Sequence, residues 1–214
     1  MRKLVLKMSV SVDGFVGGAD GEIDWIFKSM DDGVTDWLLE TLWQAGVHLM
    51  GSRTYCDMAA YWPASSSPLA ASMNAIPKVV YSRKRLDKLP DSHSTTRAFA
   101  DAVLAEPIEL APAKVRTPGE ASWAAATIVH GDLLDAVTAL KRDAGDYILA
   151  HGGARFGGAL ARSGLVDEYR LLVHPVALGR GLPLFAGITR PVDLRLVSAT
   201  AFPSGALAQI YHPA

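Results

Sequence analysis

The chain has 214 residues, a formal net charge of −1, half of its residues hydrophobic, one fifth charged, and a single cysteine, Cys56. One cysteine excludes an internal disulfide framework and any multi-cysteine zinc or iron–sulfur centre. A charge near zero excludes the broadly basic face that nonspecific nucleic-acid binding requires, and the length fits one domain, plain or enlarged by an insertion.

Met1 to Val12 begins with basic residues and turns apolar, as a signal peptide would, but Lys7 interrupts the run. Leu4, Leu6, Met8, Val10 and Val12 alternate with more polar neighbours and lead into Asp13-Gly14. That pattern predicts a strand with one face on a core, followed by a turn. No segment approaches the roughly 18 uninterrupted apolar residues of a membrane span, so the expected location is the cytoplasm. Asp13 to Trp25 is dense in glycine (Gly14, Gly17, Gly18, Gly21) and reads as a long mobile loop. Asp31 to Trp43 spaces Val34, Trp37, Leu38, Leu39 and Leu42 as a helix that ends at Ala45-Gly46.

A short strand, Val47 to Met50, leads through Gly51-Ser52-Arg53-Thr54 into a helix from Tyr55 to Tyr61. Lys78 to Tyr81 is a second such strand and ends in Ser82-Arg83-Lys84-Arg85. From about 88 to 122 the chain is rich in Ala, Pro, Thr and charge; it predicts an insertion with at most one short helix, Ala98 to Ala105. Then follow a strand Thr127 to His130, a helix Leu133 to Asp143, a strand Tyr147 to Ala150, the pair Gly152-Gly153, and a helix Arg155 to Arg162. Glu168 to Val173, Leu194 to Ala199 and Leu207 to Tyr211 are strands with no helix between them. The order predicts an α/β fold: a mainly parallel sheet with helices on both faces and antiparallel C-terminal strands.

In an open parallel sheet, ligands bind beyond the carboxyl ends of the strands. Gly51 to Thr54 and Gly152 to Ala154 each offer free amides at a helix start, where the helix dipole favours an anion. Ser82 with Arg83, Lys84 and Arg85 is a third strand end with cations around a hydroxyl. Two phosphate cradles and a basic clamp point to a phosphorylated dinucleotide, although the spacing matches neither the usual dinucleotide fingerprint nor a Walker loop. A tight turn, a helix cap and a solvated basic loop explain each piece separately. The six histidines lack ligand spacing, so no metal is expected, and Cys56 and His174 read as core residues. Asp13, Asp24, His151 and Glu168 are the ionisable candidates for proton transfer.

Ser9-Val10-Ser11-Val12-Asp13-Gly14-Phe15, Gly21-Glu22-Ile23-Asp24-Trp25, Gly51-Ser52-Arg53-Thr54-Tyr55, His151-Gly152-Gly153-Ala154, and the run from Gly164 through His174-Pro175 to Phe185 carry a family likeness. Apart from about 88 to 122, the chain resembles the dihydrofolate reductase-like family typified by the C-terminal reductase domain of riboflavin biosynthesis. The resemblance implies a three-layer α/β/α fold, NADPH as hydride donor, a small-molecule substrate and a homodimer. It places Val12 and Trp25 at the nicotinamide, and Gly51, Arg53 and Thr54 on the phosphate bridge. Ser82 and Arg83 fall on the adenosine ribose and its 2′-phosphate, and Gly152, Gly153, Ala154 and Arg155 on the second phosphate turn. It implies hydride transfer to an imine or carbonyl, a proton from Asp13, Asp24, His151 or water, and a lid at Gly14 to Gly21. Riboflavin-pathway members carry a glutamate before the glycine pair, where this chain has His151. That departure keeps open binding without turnover, and weak dihydrofolate reduction is a further alternative.

Overall fold

A computed structural model describes residues 1–83 and 117–214. Among these, eight strands form one sheet: β1 (Leu4–Ser11), β2 (Ala45–Gly51), β3 (Lys78–Ser82), β4 (Thr127–His130), β5 (Tyr147–His151), β6 (Glu168–His174), β7 (Leu194–Ala201) and β8 (Leu207–Pro213). Their order is β4-β3-β2-β5-β1-β6-β8-β7. The first six strands in that order run parallel, and β8 pairs antiparallel with both β6 and β7. The helices are α1 (Asp32–Trp43), α2 (Ser52–Tyr61), α3 (Ala70–Ala75), α4 (Pro118–Ala124), α5 (Leu133–Arg142) and α6 (Ala154–Ser163).

The two faces of the sheet bury different residues. Leu4, Leu6, Met8 and Val10 of β1 pack with Ile148, Ala150, Val137, Phe156 and Leu160 beneath α5 and α6. Val5 packs on the opposite face with Leu149, Met50, Tyr55 and Trp123 beneath the other helices. The expectation that β1 turns one face to the core is therefore corrected: it is a central strand, covered on both sides because crossover helices lie on both faces of a parallel sheet. On this second face Lys7, Ser9 and Ser11 continue the row that begins with Val5, so the apolar alternation of one face hides a polar stripe on the other.

Other expected elements lie where their periodicity put them, with ends that move by no more than three residues. α1 starts under Asp31, whose carboxylate accepts from the Val34 amide at 2.8 Å. β2 begins at Ala45, immediately after the helix, and the expected stop at Ala45-Gly46 is a register shift within the strand. A 3₁₀ turn at Asp24–Ser29 and the short α3 and α4 carry too few apolar repeats to be read from sequence.

α4 overlaps the expected insertion, because its seven residues include only one large apolar side chain. That side chain, Trp123, is 2% exposed, donates from Nε1 to Asn74 Oδ1 at 2.7 Å, and lies under the Lys78 ammonium, so this end of the segment belongs to the core. The expected helix Ala98 to Ala105 falls outside the described residues. Trp123→Phe will leave Asn74 Oδ1 without its donor and cost about 1–3 kcal/mol in urea unfolding. No helix of the described residues is long and apolar enough to cross a membrane.

Candidate active site

The six parallel strands finish on one rim, at Ser11, Gly51, Ser82, His130, His151 and His174. β1 outruns β5. Lys7 pairs with His151, the last residue of β5, whereas β1 continues beside β6 as far as Ser11 opposite His174. The rim is therefore notched above His151, and α2 and α6 both start at the notch.

Neither of these helices has a side-chain cap or an acidic residue in its first turn. By contrast α1, α4 and α5 are capped by Asp31, Thr117 and Asp132. Uncapped first-turn amides, with the positive end of the dipole, make an anion-binding concavity. The two starts touch. A Cβ on Gly153 would lie 3.0 Å from Thr54 Oγ1, and one on Gly51 would lie 3.3 Å from Phe156 Cβ. A Cβ on Gly152 would instead meet Met8 Sδ at 2.4 Å, so this glycine is required by core packing beneath the notch. Arg53 and Arg155 are exposed in the two first turns, and Ala154 is half-buried between them. Ser82 is buried at the third strand end with Arg83 exposed beside it; Lys84 and Arg85 lie outside the described residues.

On the face shared with α1, Lys7 is half-buried and its closest polar partner is Ser9 Oγ at 3.4 Å. Burial lowers the Lys7 ammonium to about 8. His151, 7% exposed, is brought down to about 3 by burial and then by the Lys7 charge. His174, fully buried, is brought to about 4 by the same two causes. Its Nδ1 pairs with Ser29 Oγ at 2.7 Å, and Trp25 meets its ring edge-on at 5.5 Å. His48 stands edge-on to His151 at 4.6 Å, and burial, then His151 and Lys78, push its pKa well down. Among the described residues, the buried Nε2 atoms of His151 and His174 and both ring nitrogens of His48 have no hydrogen-bond partner.

Asp13 accepts from Ser11 Oγ at 2.6 Å, the Gly179 amide at 2.7 Å and the Leu178 amide at 3.2 Å. The Ser11 bond, with those amides, holds its carboxyl below the usual value, so at neutral pH it clamps two loops as a carboxylate and has no proton to give. Asp24 is exposed at the head of the 3₁₀ turn, and its neighbour Trp25 turns inward, with Nε1 donating to Glu22 O. Glu168 is at the start of β6, the end remote from the rim. Burial raises its pKa, but hydrogen bonds from Arg170 and His212 outweigh it, and the pair they form occupies the carboxylate. Val12 is 67% exposed at the mouth of the notch, and its amide donates to Val176 O.

The glycine-rich stretch is not a free flap. Val16 N donates to Leu182 O, Leu182 N to Gly17 O and Leu184 N to Gly14 O, and Phe15 bridges Pro183. These bonds pin it to the loop that Asp13 also holds, a pairing between distant segments that local composition does not reveal. Lys7, His48, Ser29 and the free edge of His174 were not among the sequence-based candidates. The signal for Lys7 was a cation in phase with Ser9 and Ser11 on one strand face. Elsewhere, a groove of about 420 Å³ beside Arg162, Thr189 and Arg190 lies toward the start of β6 and, among the described residues, contains no orphaned buried polar atom. Among the described residues no cluster of His, Cys, Asp and Glu could hold a metal ion.

The family model of the RibD C-terminal domain matches residues 2–208. Protein YyaP of Bacillus subtilis is 30% identical over 211 residues, covering 99% of this chain and 95% of its own. The structure of a diaminohydroxyphosphoribosylaminopyrimidine deaminase/5-amino-6-(5-phosphoribosylamino)uracil reductase from Thermotoga maritima superposes with a TM-score of 0.64 at 17% identity, covering 100% of this chain and 57% of that one. Dihydrofolate reductase of Enterococcus faecalis, complexed with NADP(H), superposes with a TM-score of 0.58 at 11% identity, over 99% of this chain and 96% of that one. These superpositions agree with the dihydrofolate reductase-like sheet order, the parallel strands and the antiparallel C-terminal pair described above.

Proposed function

Because the chain belongs to the RibD C-terminal domain family, we propose that it is an NADPH-dependent reductase acting on a carbonyl or imine carbon of a small heterocyclic compound in the cytoplasm. The observation that carries this reading is the meeting of two uncapped helix starts, where a Cβ on Gly153 would come within 3.0 Å of Thr54 Oγ1 and of no other heavy atom of the described residues within 4 Å. That concavity fits a diphosphate. Gly51, Arg53, Thr54, Gly152, Gly153, Ala154 and Arg155 would hold it, Ser82 and Arg83 would take the ribose 2′-phosphate, and Val12 with Trp25 would border the nicotinamide. A dihydrofolate reductase of the same fold is complexed with NADP(H), which supports the choice of nucleotide.

When bound, NADPH supplies a hydride from its nicotinamide ring. The chain must orient the acceptor, exclude water and deliver one proton to the acceptor oxygen or nitrogen as the carbon is reduced. Lys7 is suited to the last task. Its ammonium, lowered to about 8, is protonated at neutral pH yet close enough to it to give the proton up. His151 and His174 are neutral there and position rather than protonate. The Asp13 clamp keeps the Phe15–Gly17 and Leu178–Leu184 segments together over the mouth.

Calorimetric titration with NADPH, NADH and ATP tests the reading. NADPH will bind tightest, and NADH more weakly by about tenfold or more, because only Arg83 and its neighbours can use the 2′-phosphate. Arg83→Ala will remove most of that difference. Equal binding of ATP, or no binding of NADPH, would overturn the reading.

A homodimer follows from the same family reading. β7 is the outermost strand, exposed along nearly its whole length, with Leu196 at 51% and Val197 at 47%. An open apolar edge of this kind is ordinarily covered. Light scattering will report twice the 22.8 kDa chain mass, and Val197→Glu will shift it toward one.

A further inference from the structure

We propose that the groove beside the start of β6 is a second ligand site, which takes an apolar molecule ending in a carboxylate. The site is separate from the notch and does not depend on the reductase reading. Tyr169, in the groove wall, lies five residues before His174 on β6, about 17 Å from the rim at ~3.3 Å per residue. The groove meets the last turn of α6, whereas the proposed diphosphate cradle is at the first.

A volume of about 420 Å³ is in the range that holds a drug-sized ligand. Ala161, Val166 and Tyr169 make a buried, largely apolar wall, continued by half-buried Ile188. Arg162, Thr189 and Arg190 are exposed around the mouth, and no acid lines the groove. Among the described residues neither guanidinium has a carboxylate within ion-pair distance. The acids at the start of β6 are engaged: Asp167 holds Lys141 and the Leu4 amide, and Glu168 holds Arg170 and His212. Arg162 has structural tasks. Its Nη1 donates to Ala186 O at 2.8 Å, and as a last-turn cation it offsets the negative end of the α6 dipole. Arg190 has no such partner among the described residues, so its charge is left over for an anion.

The second observation is Tyr169. Its side chain is 2% exposed and its ring meets Phe185 at 5.9 Å, so the phenol is fixed by packing. No residue among those described bonds its hydroxyl, which opens on the groove and not on the sealed interior. A hydroxyl that the fold holds rigidly and leaves unbonded is a donor for whatever fills the space beside it. A carboxylate accepts from a guanidinium through both oxygens and from a phenol through either. An apolar body covers the wall, and an amine in place of the acid is repelled.

Titration of isotope-labelled protein with naphthoate, naphthamide and naphthylmethylamine, which share a body and differ in charge, tests the proposal, because amide resonances report where each binds. Naphthoate will shift Gly164, Gly187, Ile188 and Thr189 saturably and about tenfold or more tighter than naphthamide, as one charge-assisted pair provides; the amine will leave them in place. Arg190→Ala, a change at an exposed position, will remove most of that preference. Tyr169→Phe, which deletes only the hydroxyl, will weaken naphthoate by about threefold to tenfold. The proposal is overturned if naphthoate shifts nothing or only residues of the rim such as Gly51 and Gly153, if naphthamide or the amine matches it, or if both folded variants bind as the parent does. It is also overturned if the groove resonances follow protein concentration and ignore the ligand, because a second copy of the chain then fills the groove. NADPH titrated into the same sample reports on the rim alone, so failure of the cofactor reading and failure of this one are read separately.

Discussion

Gly153→Val will weaken NADPH binding by about a hundredfold or more while leaving the ligand-free protein close to its original melting temperature. The glycine's φ of −82° and ψ of 158° suit any residue, and among the described residues the only neighbour its Cβ meets is Thr54 Oγ1 at 3.0 Å. The added methyls therefore enter the space between two helix starts, where the proposed diphosphate would sit, and not the core. A hundredfold loss is about 2.7 kcal/mol, the scale of one or two charge-assisted hydrogen bonds. Gly152→Ala should behave in the opposite way, because its Cβ collides with Met8 Sδ at 2.4 Å. Overpacking of that kind costs about 1–3 kcal/mol of stability. Denaturation and calorimetry on both variants check the contrast. If the two adjacent glycines give the same pattern, the cradle assignment is wrong.

Lys7→Met will make the folded protein more stable at neutral pH and slow hydride transfer to any acceptor the parent reduces by about 10²–10⁴, the usual contribution of a general acid. The stability effect has a definite sign. Burial lowers the folded Lys7 to about 8 from its ordinary 10.5. Below 8 both folded and unfolded chains carry the proton, and the cost of the buried charge is present in full. Between 8 and 10.5 the unfolded chain binds more protons, so stability rises with pH, and above 10.5 the cost is gone. The variant's advantage will be about 2–3 kcal/mol at pH 7, allowing for the water a half-buried ammonium retains, and will vanish near pH 11. Lys78, also at about 8, contributes to the same window in both proteins and cancels in the comparison. The rate of the parent will fall as pH rises through about 8. A variant less stable than its parent at pH 7 would count against the unpaired-charge account.

Much of this arrangement was legible in the residues. Gly51, Ser82 and Gly152 each close an apolar strand and open a helix or a basic turn, and parallel topology alone brings such points to one rim. Lys7 was not legible in the same way. Read along one strand it only interrupts an apolar run, and its burial depends on β5 and β6 lying either side of it. His174 reads as a satisfied core imidazole because sequence cannot show that Ser29 satisfies one ring nitrogen and leaves the other free. Asp13 had the residue type of a proton donor, but its bonds to Leu178 and Gly179 span more than 160 residues of chain. The anchoring of the glycine-rich stretch was hidden for the same reason, since the partners of Val16 and Gly17 come from the far end of the sequence.

The difference in length between β1 and β5 has a further consequence. The cleft is not carved from the side-chain core; it is a place where one strand stops four residues before its neighbour does. Its depth is thus a matter of pairing register and can change by whole residues when β5 grows or shrinks at its tip, with Leu149, Ile148 and the packing below untouched. A scaffold of this kind can change the depth of its rim in discrete steps set by strand length.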